Sequence, residues 1–135
     1  AKKIGFLGWA FKKDTNDTRE SAAIYVADML IDEQAIIKVY DPKVTRSQMM
    51  SDLNNLNTRP EEENTKYLHN ETSPYSALNG AHAVAIITEW DEFITYDWQR
   101  IYDQMQKPAF IFDGRNILNQ KQLEDIGFVY KGIGC

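Results

Sequence analysis

The chain has 135 residues, 43% hydrophobic and 26% charged, with a formal net charge of −5 at pH 7. That balance fits one soluble globular domain and excludes a disordered segment, and the acidic excess argues against general nucleic-acid binding, which needs cations to neutralise phosphates. No apolar run approaches the ~20 residues that span a bilayer, so no membrane partner is expected, and the single cysteine, Cys135, excludes an internal disulfide and fits a reducing, cytoplasmic setting.

In chain order, short apolar runs alternate with segments of helical spacing. Lys3-Leu7 predicts a first strand, followed by the charged stretch GWAFKKDTNDTRES (8–21). Asp17, three residues before Glu20, forms a capping-box-like pair that predicts a helix start. Ala22 to Leu30 is apolar almost all round, as in a helix packed hard against a sheet. Ile36-Tyr40 predicts the second strand. From Ser51 to Thr72 the chain is polar and aperiodic, a surface excursion around a short helix (Ser47-Leu53) and a weak strand near Lys66-His69. Ala83-Thr88 is the long middle strand. Trp98, Ile101, Tyr102 and Met105 fall at i, i+3, i+4 and i+7, one face of another helix. Ala109-Phe112 predicts a strand, Gln120 to Ile126 a weaker helix that stops at Gly127, and Phe128-Gly132 a last strand. The alternation and the nearly continuous apolar strands imply an α/β fold. It is doubly wound and Rossmann-like, with a mostly parallel sheet of five or six strands and helices on both faces.

Such sheets bind ligands at the carboxyl ends of their strands. In the opening loop a glycine cradle for pyrophosphate would need glycines where Trp9 and Phe11 stand. Lys12 as a point charge and Arg19 as a bidentate clamp are the phosphate candidates instead, and Phe11 offers a flat face to a base. The competing reading is a solvated loop in which Asp14, Asp17 and Glu20 balance Lys12, Lys13 and Arg19. Arg115, in Asp113-Gly114-Arg115-Asn116, either projects towards the opening loop to meet an anion or pairs with Asp113 in a structural turn. Asp41 stands where an acid would hold a ribose, but Pro42 follows and the glycine fingerprint is missing, so it reads as a turn former. His69 and His82 lack partners at metal-ligand spacing, and no metal is expected. Trp90, Trp98, Tyr96 and Tyr102 read as packing aromatics. With no nucleophile set beside a base, the chain reads as a binding domain without catalytic residues of its own.

Four blocks, GWAFKKDTNDTRES (8–21), VYDPKV (39–44), ITEWDEF (87–93) and KPAFIFDGRNIL (107–118), occur in one order across nearly the whole chain. Together they resemble the C-terminal, UDP-binding domain of the UDP-glucose 6-dehydrogenases, especially the animal ones, within the wider UDP-glucose/GDP-mannose dehydrogenase family. The resemblance implies a longer enzyme with an N-terminal NAD-binding domain, a helical linker domain and this domain, which holds the UDP part of UDP-glucose. It implies oxidation of the sugar C6 alcohol to a carboxylate, giving UDP-glucuronate, in two NAD-dependent steps through an aldehyde level and a cysteine thioester. It assigns Phe11, Lys12 and Arg115 to the substrate and Arg19 to NAD bound mainly by the other domain, leaving Lys13 to solvent, and it implies a homo-oligomer. The family's catalytic cysteine, its lysine partner and the glycine fingerprint lie upstream, and Cys135 matches none of them. Residues 1–135, with a strand already under way at residue 3 and no initiator Met, therefore read as one excised domain, inactive alone. The alternatives are the same domain of a sister enzyme for UDP-N-acetylmannosamine or GDP-mannose, and a non-catalytic doubly wound nucleotide-binding module. A phosphoacceptor receiver is excluded, because its first strand would end in acids rather than Leu7-Gly8-Trp9.

Overall fold

Apolar and β-branched runs form the strands of a computed structural model that describes residues 2–132; Cys135 lies outside the described residues. The strands are β1 (Lys3–Leu7), β2 (Ile36–Tyr40), β3 (Leu68–Asn70), β4 (Ala83–Ile86), β5 (Phe110–Asp113) and β6 (Val129–Gly132). All pair in parallel, in the order β3-β2-β1-β4-β5-β6. The helices are α1 (Ala22–Asp32), α2 (Arg46–Asn54), α3 (Glu61–Tyr67), α4 (Pro74–Leu78), α5 (Trp98–Gln104) and α6 (Gln120–Ile126), with a 3-10 turn at Asp91–Thr95. The chain winds outward from β1 to β3, returns to β4, and winds outward again to β6. The strand order therefore reverses between β1 and β4, the switch point at which sheets of this kind bind ligands.

Period-two alternation divides the core between the two faces. Phe6, Ile37, Val39, Leu68 and Ala85 pack under α1 and α2 with Ala23, Ala27, Ile31, Met49 and Leu53. Leu7, Val84, Ile86, Ile111 and Tyr130 face the opposite way, against Leu78 of α4, Trp98 and Ile101 of α5 and Leu123 of α6. Trp90 and Trp98 are buried, as their reading as packing aromatics requires. One corner is thinly covered. On the α1 side of β5 and β6, Phe110 and Phe112 stack at 6.4 Å, and Phe112 and Val129 are exposed. An apolar groove of about 320 Å³ runs there between Ile4, Val26, Leu30, Ala83, Ala85 and Phe112. No helix among the described residues is long and apolar enough to cross a membrane.

One local expectation is corrected. The capping-box pair does not start the first helix: Ser21 is the N-cap, its Oγ accepting from Ala23 N at 3.2 Å. Glu20 instead takes a left-handed φ of 63°, and the Asp17 carboxylate turns to Arg19. Ser21 wins because the same hydroxyl donates to Trp9 O at 2.6 Å, fastening the helix start to the opening loop. The polar stretch holds the expected short helix as α2 and the expected weak strand as β3, and adds α3 between them. A polar tie does the work that an apolar stripe does elsewhere. Arg59 donates to Asp28 Oδ1 at 2.8 Å, to Asp28 O at 2.9 Å and to Asn64 Oδ1 at 2.9 Å, joining α3 to α1. Glu61, Glu62 and Glu63 in the first turn of α3, with Lys66 in its last, suit the helix dipole.

Candidate functional site

The carboxyl ends of β1, β2, β4 and β5 carry the four stretches singled out above. β1 ends in Gly8, whose φ of 100° is open to glycine and strained for other residues. A Cβ there would also lie 2.7 Å from Thr88 N, so the turn must pass bare backbone beside the loop that follows β4. The next residues are bonded throughout their backbone. Trp9 N and Ala10 N donate to Asp41 Oδ2 at 2.7 and 2.9 Å. Ser21 Oγ donates to Trp9 O, and Thr88 Oγ1 to Ala10 O at 2.8 Å. Phe11 N donates to Asp17 O at 2.7 Å. Trp9 itself is buried, its indole N–H on Asp52 Oδ2 at 3.0 Å.

Arg115 comes from the turn after β5. Its Nε donates to Ile87 O at 2.9 Å and its Nη2 to Phe11 O at 3.3 Å, while Nη1 pairs with Glu89 at 3.2 Å. The guanidinium thus crosses over β4 to the opening loop. Arg115 meets Asp113 in the turn through its backbone and not its guanidinium: buried Asp113 accepts from Arg115 N at 3.1 Å, Leu118 N at 2.8 Å and the Tyr130 hydroxyl at 2.9 Å. Backbone and phenol donors fill that carboxylate, which leaves the guanidinium to the strand ends.

Phe11 and Lys12 are exposed at the end of the pinned turn, next to the Arg115 contact. Arg19 is elsewhere, at the return of the loop to α1. It is almost fully exposed and doubly bonded to Asp17, Nη2–Oδ2 at 2.9 Å and Nε–Oδ1 at 3.1 Å. That pairing holds the Asp17 carboxyl down at about 2. Lys13 is exposed but not left to solvent alone, for it pairs with Asp91 at 3.3 Å; a surface pair of this kind adds little stability. Tyr40 and Tyr96 both donate to Glu92 Oε2, at 3.2 and 2.5 Å, tying β2 to the 3-10 turn. Burial first, then the Glu92 charge, pushes the Tyr40 phenol up to about 12, and the Tyr96 phenol is raised by burial and its bond to Glu92.

Three participants had weak or no sequence signals. Ser21, a serine directly before an apolar helix, carries an N-cap signature that could have found it. Asp41 shows its local half in sequence, an Asx turn with Oδ1 accepting from Lys43 N at 2.8 Å. Its longer reach, to Trp9 and Ala10, has no local signal, and neither has Thr88.

Residues 5–120 match the UDP-glucose/GDP-mannose dehydrogenase family, UDP binding domain. The chain is 50% identical over 133 residues to the UDP-glucose 6-dehydrogenase of Caenorhabditis elegans, covering 98% of this chain and 27% of that protein. It is 48% identical over 142 residues to UDP-glucose 6-dehydrogenase 4 of Arabidopsis thaliana, covering 98% of this chain and 30% of that one. Among solved structures, a UDP-D-ManNAc dehydrogenase from Pyrococcus horikoshii superposes with a TM-score of 0.70 at 27% identity, over 98% of this chain and 25% of that chain. An NDP-N-acetyl-D-galactosaminuronic acid dehydrogenase from Methanosarcina mazei Go1 shares the fold at a TM-score of 0.77 and 24% identity, over 99% of this chain and 25% of that chain. The chain thus spans little more than a quarter of the length of the relatives it matches, and within that span it belongs to the UDP-glucose/GDP-mannose dehydrogenase family, as its UDP binding domain.

Proposed function

We propose that residues 1–135 form one domain of a longer, NAD-dependent UDP-glucose 6-dehydrogenase, and that this domain holds the UDP half of the substrate. The longer protein converts UDP-glucose to UDP-glucuronate in two oxidations, as a cytoplasmic homo-oligomer. One observation carries the reading of the site: Arg115, from the end of β5, reaches the Phe11 carbonyl at the end of β1, beside Lys12. A UDP diphosphate carries about two charges, and one Lys with one Arg offsets them through charge-assisted hydrogen bonds. The exposed Phe11 ring offers an apolar face to the uracil. Arg19, outward-facing beyond its bond to Asp17, supplies a single contact to NAD held by another domain. The chain's own first turn does not fit NAD, because the Trp9 and Ala10 N–H groups are committed to Asp41, and no step of the redox chemistry is assigned to these residues.

Calorimetric titration of the chain with UDP, UDP-glucose, GDP and NAD tests this. UDP and UDP-glucose bind, and GDP and NAD do not. Preference for GDP would instead favour a sister enzyme acting on GDP-mannose. Lys12→Ala weakens UDP binding by about 1.5–3 kcal/mol, the range for hydrogen bonds to charged groups; unchanged affinity removes Lys12 from the site.

A further inference from the structure

The first turn of a nucleotide-binding sheet ordinarily aims its N–H groups outward, at a pyrophosphate. Here the Trp9 and Ala10 N–H groups aim inward, at Asp41 Oδ2. The Trp90 indole N–H joins them on that oxygen at 3.3 Å, and Oδ1 takes Lys43 N at 2.8 Å and Val44 N at 3.1 Å. Five N–H donors from three strand ends therefore converge on one buried carboxylate, and among the described residues it makes no ion pair.

We infer that Asp41 is an internal stand-in for the phosphate: a positioning residue that fixes the Trp9–Lys12 turn from beneath and so sets the affinity for the UDP diphosphate without touching it. This rests on the reading of the site given above. The chemistry follows from the donors. Groups that bond an internal anion do not bond an external one, so recognition of the diphosphate passes to side chains on the turn. Those side chains need a backbone that does not move. Every backbone N–H and C=O from Trp9 to Phe11 has a partner, in Asp41, Ser21, Thr88, Asp17 and Arg115. Phe11 and Lys12 thus leave a turn whose conformation is set before the ligand arrives, which removes an ordering cost from binding.

The wild-type chain gives the first test. By NMR, the Trp9 and Ala10 amides exchange slowly without UDP, and their proton shifts stay in place when UDP binds. Large shifts at these two amides would mean that the phosphate takes them over, which overturns the inference. Asp41→Asn keeps the shape but sets an NH2 group against two or three N–H donors. It weakens UDP binding roughly tenfold and speeds exchange at Trp9 and Ala10, while the amides of β1 and β4 keep their protection. Affinity within twofold of wild type overturns the inference. Asp41→Ala loses both properties, and added formate, a carboxylate small enough for the emptied seat, restores both; formate without effect counts against an anion seat. A wild-type chain that ignores UDP refutes the reading of the site instead, and the exchange rates then judge the turn on their own.

Discussion

Glu92 shows how single carboxylates fix this surface at the residue scale. Two phenols donate to one of its oxygens, and the Tyr40 phenol is raised to about 12. In the unfolded chain a tyrosine titrates near 10, so the folded state holds this proton more tightly. The contribution is complete below pH ~10 and disappears as pH rises through about 12, with Tyr96 acting in the same direction. Thermal stability followed across this alkaline window is expected to fall, and to fall less in Glu92→Gln. Burial, the largest cause at Tyr40, remains in that variant, so the decline is reduced and not abolished. Equal declines in the two proteins would remove the Glu92 charge from the explanation. Legibility at this scale follows sequence distance. Lys12 and Arg115 stand out in the sequence as candidates because a strand end followed by a basic residue is a local pattern. The partners that pin the turn leading to Lys12 do not: Asp41 bonds Ala10 N from 31 residues away, and Thr88 bonds Ala10 O from 78 residues away.

At the scale of elements, the strands stood out, and so did the short polar helices α2 and α6, whereas α3 and α4 did not. β1 and β2 have the bounds that their largely apolar runs predict, as strands inside a helix-covered parallel sheet should, with Lys38 the one charged residue within β2. β4 stops at Ile86, before the expected Thr88, since Thr88 turns inward to bond Ala10 O. α3 has only Asn64 buried, so its sequence carries no stripe to read. The junction between β1 and the loop after β4 is the tightest meeting of elements at the site, and glycine substitution measures it. Gly8→Ala combines a positive φ with a Cβ 2.7 Å from a backbone nitrogen. Gly80→Ala has a positive φ of 72° but nothing within 4 Å. Backbone strain alone costs about 1 kcal/mol, so Gly80→Ala should lower Tm by roughly 3–5 °C in a domain of this size. Gly8→Ala should cost at least ~2 kcal/mol more, because neither backbone can give way. Equal losses in the two variants would mean that the approach of Thr88 to the turn is not a constraint.

At the scale of the whole molecule, the division of labour is written into topology. Both windings of the sheet start from its centre, so β1 and β4 bring their ends together with those of β2 and β5, and Arg115 there reaches the carbonyl of Phe11, the residue before Lys12. The same winding leaves the β5–β6 corner thinly covered on the α1 side, with Phe112 and Val129 exposed. On the function proposed above, these ends hold the substrate while the redox chemistry belongs to the rest of the longer protein. The first turn gives its N–H groups to Asp41, the one cysteine is at residue 135, and the relatives are more than three times as long as the matched span. The fold was legible because apolar alternation is a property of the whole chain; the inward-facing turn was not, because it depends on which loops the sheet brings together. The chain mixed with UDP-glucose and NAD is therefore expected to form no NADH, measured by its absorbance, while still binding UDP in calorimetry. The two readouts separate the possibilities. NADH formed by the chain alone would place the reacting groups within these 135 residues and refute the division of labour. Loss of UDP binding together with the absence of NADH would leave the chemistry elsewhere, and would move the substrate site off these strand ends as well.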